Sequence, residues 1–218
     1  MLSKNTIKLI ASLSHKKYRQ KHQLFLVEGD KNIIEVLNSN IKVKFLYGTS
    51  GFLLANERAV ENAEKVEEAT SEEIKKTSLL KSPQNSLALC EMPGLKKLPA
   101  NPGDFSFYLD GIQDPGNLGT IIRTCDWFGI ENLFCSEDST DVFNPKVIQA
   151  TMGSFARVNV YYTNFNELLE SVQTPELKIL GTFMDGGNIY QSKLPEKALV
   201  VLGNEGKGIS IEVEEAID

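Results

Sequence analysis

Short apolar runs alternate along the chain with stretches whose apolar residues fall three and four apart. NTIKLIASL places Ile7, Ile10 and Ala11 at helical spacing, and HKKYRQKH continues as a charged helix or loop. LFLVEG reads as a short buried strand. A helix carrying Ile33, Ile34 and Leu37 follows, then the strand VKFLYG. Between Asn56 and Leu80 polar helix and short strand alternate. In TSEEIKK, Thr70 or Ser71 caps a helix that takes Glu73 or Ile74 into its first turn. SLALCEM closes this half, and the alternation predicts a small α/β domain.

Proline and glycine interrupt MPGLKKLPANPGD, Met92 to Asp104, and remove all periodicity. Beyond it come strand SFYLDG, a helix from Asn117, strand NLFCS, a helix from Pro145 and strand RVNVYY. Helix NFNELLESV, strands LKILGTFM and ALVVLG and a helix from Ile209 complete the chain. Apolar strands alternating with helices predict a mostly parallel sheet covered on both faces. The expected fold class is α/β, with a domain over 1–92, a linker over 93–104 and a second domain over 105–218.

A length of 218 residues provides for one large or two modest cores. No apolar run approaches the roughly 20 residues that cross a bilayer, and the basic start lacks a signal-peptide core. Cys90, Cys125 and Cys135 form no CxxC pair, so they are read as reduced thiols of a cytoplasmic protein, with neither disulfides nor a metal site. The net charge of −6 argues against a nucleic-acid partner until its distribution is seen. Lys4, Lys8, Lys16, Lys17, Arg19 and Lys21 precede the first acid, whereas seven glutamates lie between Glu57 and Glu73. A basic end on an acidic body is either a solvated helix or a local phosphate-binding surface.

Three turns carry candidate chemistry. In QDPGNLG, Pro115 and Gly116 make the turn and Asn117 is placed to cap the helix, leaving free amides for an anion or polar ligand. Leu118, Ile121, Ile122 and Cys125 share one face of that helix, and Arg123 lies roughly opposite. It is either a solvated arginine or one directed at a ligand. In NPKVIQATMGS, Asn144 caps and Pro145 opens a helix that Gly153 ends. Lys146 in its first turn opposes the helix dipole, and is either a flexible exposed lysine or a cation kept for an anionic partner such as a phosphate or an acidic side chain. In VVLGNEGKGIS, Gly203, Gly206 and Gly208 surround Glu205 after an apolar strand. Neither GxGxxG nor the phosphate-loop pattern is present. Glu137, about 20 residues beyond Gly116, is therefore weak support for a dinucleotide site.

In order and content, NLGTIIRT, NPKVIQATMGS and LGNEGKGIS resemble the three motifs of the SpoU (TrmH-type) RNA 2′-O-ribose methyltransferases, over Phe105 to Ser210. FLVEG and SPQNSLAL are similar to segments of that family's N-terminal RNA-binding extension, with Asn85 where glycine is usual. The resemblance implies a C-terminal parallel sheet of the trefoil-knot type, a homodimer formed through that domain, and S-adenosylmethionine as cofactor. It implies methyl transfer to a ribose 2′-hydroxyl of rRNA or, as second choice, tRNA. Arg123, Asn117 and Glu205 would be catalytic; Thr182, Gly203, Gly206 and Gly208 would meet the cofactor. Lys16, Lys17, Arg19, Lys146 and Ser154 would meet RNA. The family's third motif runs on to a further strand, a Ser-Leu-Asn segment and a last helix. Because the sequence stops at Asp218 within IEVEEAID, truncation of a longer chain is expected. A non-catalytic RNA-binding protein on the same scaffold is the alternative.

Overall fold

The computed structural model describes residues 2–94, 96–172 and 176–217; Leu95 of the expected linker and Asp218 lie outside them. Two compact units result. One combines Met1–Gly94 with Asp141–Arg157, and the other combines Leu95–Thr140 with Val158–Asp218. The boundary near residue 94 lies in the expected linker, and the first unit also takes in residues 141–157 of the expected second domain, which include the second motif.

The first unit opens with α1 (Lys4–Ser12) and α2 (Lys16–His22), then β1 (Leu24–Glu28), α3 (Asp30–Leu37) and β2 (Val43–Gly48). Short helices α4 (Ser50–Ala55) and α5 (Glu57–Val60), strand β3 (Val66–Glu68), helix α6 (Ser71–Thr77) and strand β4 (Ser86–Glu91) follow. The sheet order is β1-β4-β2-β3, with β4 antiparallel to both neighbours and β3 parallel to β2. Alternation places Phe25 and Val27 of β1 in one core with Ile33, Val36, Ile148 and Phe155. Leu26 points into a second core with Ile10, Leu13, Ile74 and Leu87. With both faces covered, the strand reads as an unbroken apolar run. The α6 start follows its sequence: the Thr70 hydroxyl accepts from Glu73 N, and the Glu73 carboxylate accepts from Thr70 N.

The second unit contains β5 (Phe105–Leu109), α7 (Pro115–Trp127) and β6 (Asn132–Cys135). Helix α8 (Pro145–Thr151) belongs to the first unit, after which β7 (Asn159–Tyr162), α9 (Phe165–Ser171) and β8 (Lys178–Gly181) return to the second. Strand β9 (Ala198–Leu202) and helix α10 (Ile211–Glu214) complete it. All five strands are parallel, in the order β7-β6-β5-β9-β8. Tyr108 of β5 and Leu199 and Val201 of β9 share a core with Phe165 and Leu168 of α9 and Val213 of α10. The chain runs outward from β5 through β6 to β7, then resumes on the other side of β5 with β8 and β9. The order therefore reverses between β5 and β9, and the crevice beyond the carboxyl ends of such strands is where open α/β sheets bind ligands.

Candidate active site

The segment leaving β5 and the segment leaving β9 meet at that reversal. Helix α7 is capped by Asp114, whose carboxylate accepts from Asn117 N at 2.8 Å, with Pro115 at its first position. This corrects the cap expected at Asn117. The fixed φ of proline suits the first helical turn, so the helix begins two residues earlier, and Asn117 is freed to face outward. Its side-chain amide donates to Glu205 at 2.9 Å. That bond holds the exposed Glu205 carboxyl below its ordinary range, against a smaller opposing effect of desolvation.

Asn204 makes the second connection. Its amide nitrogen donates to Gly111 O at 2.7 Å, while its side-chain oxygen accepts from Gly206 N and Lys207 N. Asn204 and Gly208 exchange both backbone bonds at 2.9 Å, so 204–208 closes into a tight turn. Gly203 is required by this turn itself: a Cβ there would collide with the backbone of Gly208 and Ile209. Gly208 is required by its φ of +74°.

The 110–114 segment is held from a third direction. Ser136 Oγ accepts from Gly111 N at 2.8 Å, and Ser139 Oγ accepts from Ile112 N at 3.1 Å. Ser136 also donates to Asp138 at 2.6 Å. At the far end, Asp110 accepts from Ser210 N at 2.6 Å, where α10 begins. Both polar groups of Gly111 are thus satisfied by side chains, which fixes the entry to α7 before the Asn117–Glu205 contact is made. Asp110, Asp114, Ser136, Ser139 and Asn204 are not among the residues expected from the sequence. The Asp-Pro pair ahead of α7 was a cap signal in plain view. The serines carry no local signal, because what they bind lies on another strand's loop.

Arg123 lies about 9 Å further along α7 than Asn117 and is exposed with Thr120, Thr124 and Trp127. The described residues make no hydrogen bond or ion pair to it. Asn117 and Glu205 are therefore brought together, and Arg123 is not in contact with them. Thr182 donates from both its amide and its hydroxyl to Val201 O, securing the chain just past β8. All four residues expected at the cofactor thus lie beyond the carboxyl ends of β8 and β9.

Two of the five residues expected at RNA are buried. Arg19 is 2 % exposed, and its guanidinium donates to Leu13 O, Ser14 O and the Asp141 carboxylate. It is an internal anchor of the first unit and does not face a phosphate. Ser154 is 4 % exposed, in the turn after α8, and presents no surface to RNA. Lys16, Lys17 and Lys146 are exposed. Asn144 caps α8, and Pro145 opens it, as the sequence predicted.

Residues 104–218 match the model of the SpoU rRNA Methylase family. The chain belongs to that family. Residues 4–88 match the MRM3-like substrate binding domain. Among similar proteins, a 23S rRNA (guanosine(2553)-2'-O)-methyltransferase, RlmP, from Bacillus subtilis is 29% identical over 208 residues, 94% of this chain and 82% of its own length. A protein from Porphyromonas gingivalis assigned to the TrmH family of RNA methyltransferases aligns over 100% of this chain and 87% of its own, with 41% identity and a TM-score of 0.88. An AdoMet-bound rRNA methyltransferase from Sinorhizobium meliloti aligns over 100% and 84%, with 26% identity and a TM-score of 0.81. The family match spans both loops that the geometry joins, and the expected α/β fold with a parallel sheet agrees with these structures.

Proposed function

We propose that the chain transfers a methyl group from S-adenosylmethionine to a ribose 2′-hydroxyl of ribosomal RNA. The observation that carries this reading is the Asn117–Glu205 bond, which joins the first and third family motifs at the reversal between β5 and β9. The rRNA methyltransferases among the similar proteins support the substrate class.

The residues suit the cofactor. A Cβ added at Gly208 would meet nothing within 4 Å, and one at Gly206 only Asn204 at 3.7 Å, so the turn leaves a backbone edge open to close approach. Exposed Phe183, Met184 and Tyr190 offer apolar surface of the kind an adenine ring takes. Thr182, Gly203, Gly206 and Gly208 would hold it. When bound, S-adenosylmethionine supplies an electrophilic methyl group on a sulfonium. Arg123, to which the described residues make no hydrogen bond or ion pair, would face the hydroxyl, and its guanidinium charge would stabilise the developing alkoxide. A guanidinium already protonated is no base, so the proton would leave to an RNA phosphate. Asn117 and Glu205 would keep the two loops in register, and much of the rate would come from alignment. Lys16, Lys17 and Lys146 would meet phosphates.

The working form is a homodimer through the second unit, where Trp127 and Phe128 at the end of α7 are 85% and 72% exposed. Trp127→Glu is expected to sediment as a monomer while the parent chain sediments as a dimer; a monomeric parent removes this interface. Among the described residues no helix is long and apolar enough to cross a membrane, and no cluster is placed to hold a metal ion. We place the activity in the cytoplasm.

The test is transfer of labelled methyl from S-adenosylmethionine to unmodified rRNA, followed by alkaline digestion. A resistant labelled dinucleotide establishes ribose 2′-O-methylation, because the methyl blocks the hydroxyl needed for cleavage. Label in alkali-labile mononucleotides would move the reaction to a base. Retained RNA binding without label would favour a non-catalytic RNA-binding protein.

A further inference from the structure

Helix α2 has no apolar face. Of its seven residues only Arg19 is buried; Lys16, Lys17, Tyr18, Gln20, Lys21 and His22 are exposed. A helix this short is not stable by itself. It is held through the Arg19 guanidinium, which donates to Leu13 O at 2.8 Å, Ser14 O at 3.0 Å and Asp141 at 2.5 Å. One inward cation fixes the helix, and its whole remaining surface is left to solvent.

That surface is uniform in sign. No acid occurs before Glu28, and the described residues make no ion pair to Lys16, Lys17 or Lys21. Lys17 and Lys21 stand one turn apart, where like charges repel. A helix serving only as a solvated face would gain from acids at such spacings. At the centre of the cations stands Tyr18, 38% exposed. His22 lies near-parallel to it, with ring centroids 6.5 Å apart and planes at 20°, and His15 meets its edge at 6.3 Å. Tyr18 thus meets both histidine rings, beside ammonium groups that pair with no acid among the described residues. Bases need a flat π surface and phosphates need cations, and single-stranded RNA presents unstacked bases and phosphates together.

We propose that α2 is a stacking platform for single-stranded RNA, with a base on the Tyr18–His22 surface, phosphates on Lys16, Lys17 and Lys21, and Arg19 as its buried anchor. This deepens the proposed function and rests on its RNA substrate.

Stacking and phosphate contact respond differently to salt, which separates them. Binding of a fluorescein-labelled, unstructured oligoribonucleotide to the full chain is followed by anisotropy across a salt series. Tyr18→Ala is expected to weaken binding about ten-fold with no change in the slope of log K against log salt. Tyr18→Phe keeps the ring and should stay within about two-fold. Lys16→Gln, Lys17→Gln and Lys21→Gln together should flatten the slope by about 2, at roughly 0.7 per charge for single strands. Unchanged affinity for Tyr18→Ala, or an unchanged slope for the triple variant, overturns the platform. So does loss of binding to polyglutamate with RNA binding intact, which would make α2 a protein-docking face. Methyl transfer is measured on the same preparations. A parent chain that methylates RNA, with Tyr18→Ala normal in affinity and KM, loses the platform and keeps the function. A parent chain that binds through Tyr18 but methylates no RNA keeps the platform and loses the function.

Discussion

Arg123 leaves α7 on its exposed side, with no partner among the described residues, so its removal should cost chemistry and little else. Arg123→Ala is expected to lower methyl transfer by about 10²–10³-fold, the range for losing one donor at a developing oxyanion. Its melting temperature should stay close to that of the parent, since exposed substitutions shift stability by only about 0.5 kcal/mol. Near-parental activity would remove the arginine from the mechanism. Glu205 makes a different prediction. Its carboxyl is held below the ordinary 4.5, chiefly by the Asn117 amide. A depressed folded-state value means the contact is fully present above about pH 4.5 and is lost as pH falls through the lower folded value. The Asn117 side-chain amide resonances should therefore titrate in that acid window and be flat in Glu205→Gln. An amide that titrates equally in both would dissociate the pair.

Among the elements, α6 and α2 differ in how far sequence could describe them. The α6 cap was legible because Thr70 and Glu73 act on each other within one turn. The pattern predicts the start of α7 at Asn117, two residues late, because a Pro-Gly pair also suits a turn. For α2 no pattern marks an inward side, since all seven residues are polar or aromatic. Its buried position is set by Asp141, 122 residues away in the chain. A basic residue in a basic run accordingly reads as an RNA contact. The burial carries its own prediction. Arg19→Met strands the Asp141 carboxylate, only 13% exposed, with the amide of Phe143 as the side chain's remaining partner among the described residues. Breaking a buried pair in this way costs about 3–5 kcal/mol. The double variant Arg19→Met, Asp141→Leu should recover most of that loss in a thermal melt, because neither charge is then left alone. Equal damage in both would show that the bonds to Leu13 O and Ser14 O carry the anchor.

For the whole molecule, the decisive feature is that the chain enters the first unit twice. The sequence indicated two α/β regions and a break near residue 94, because Pro and Gly interrupt periodicity locally. It gave no sign that 141–157 would pack with residues 1–94, since an amphipathic segment records that it has an apolar side and not what covers it. Val147 and Ile148 of this segment are 0% and 1% exposed, and Phe155 is 7%. Ile148 and Phe155 complete the core that contains Phe25, Val27 and Ile33. Burying each such side chain is worth about 1.5–3 kcal/mol, and a domain is stable by about 5–15 kcal/mol in total. Residues 1–94 expressed alone should therefore lack a cooperative thermal transition and bind a hydrophobic dye. Joining residues 141–157 to them through a flexible linker should restore the transition, because the segment supplies both the missing core and the partner of Arg19. A sharp transition in 1–94 alone would show that the second motif rests on a domain already complete. The family's methyltransferase segment would then depend on the first unit for a surface and not for its folding.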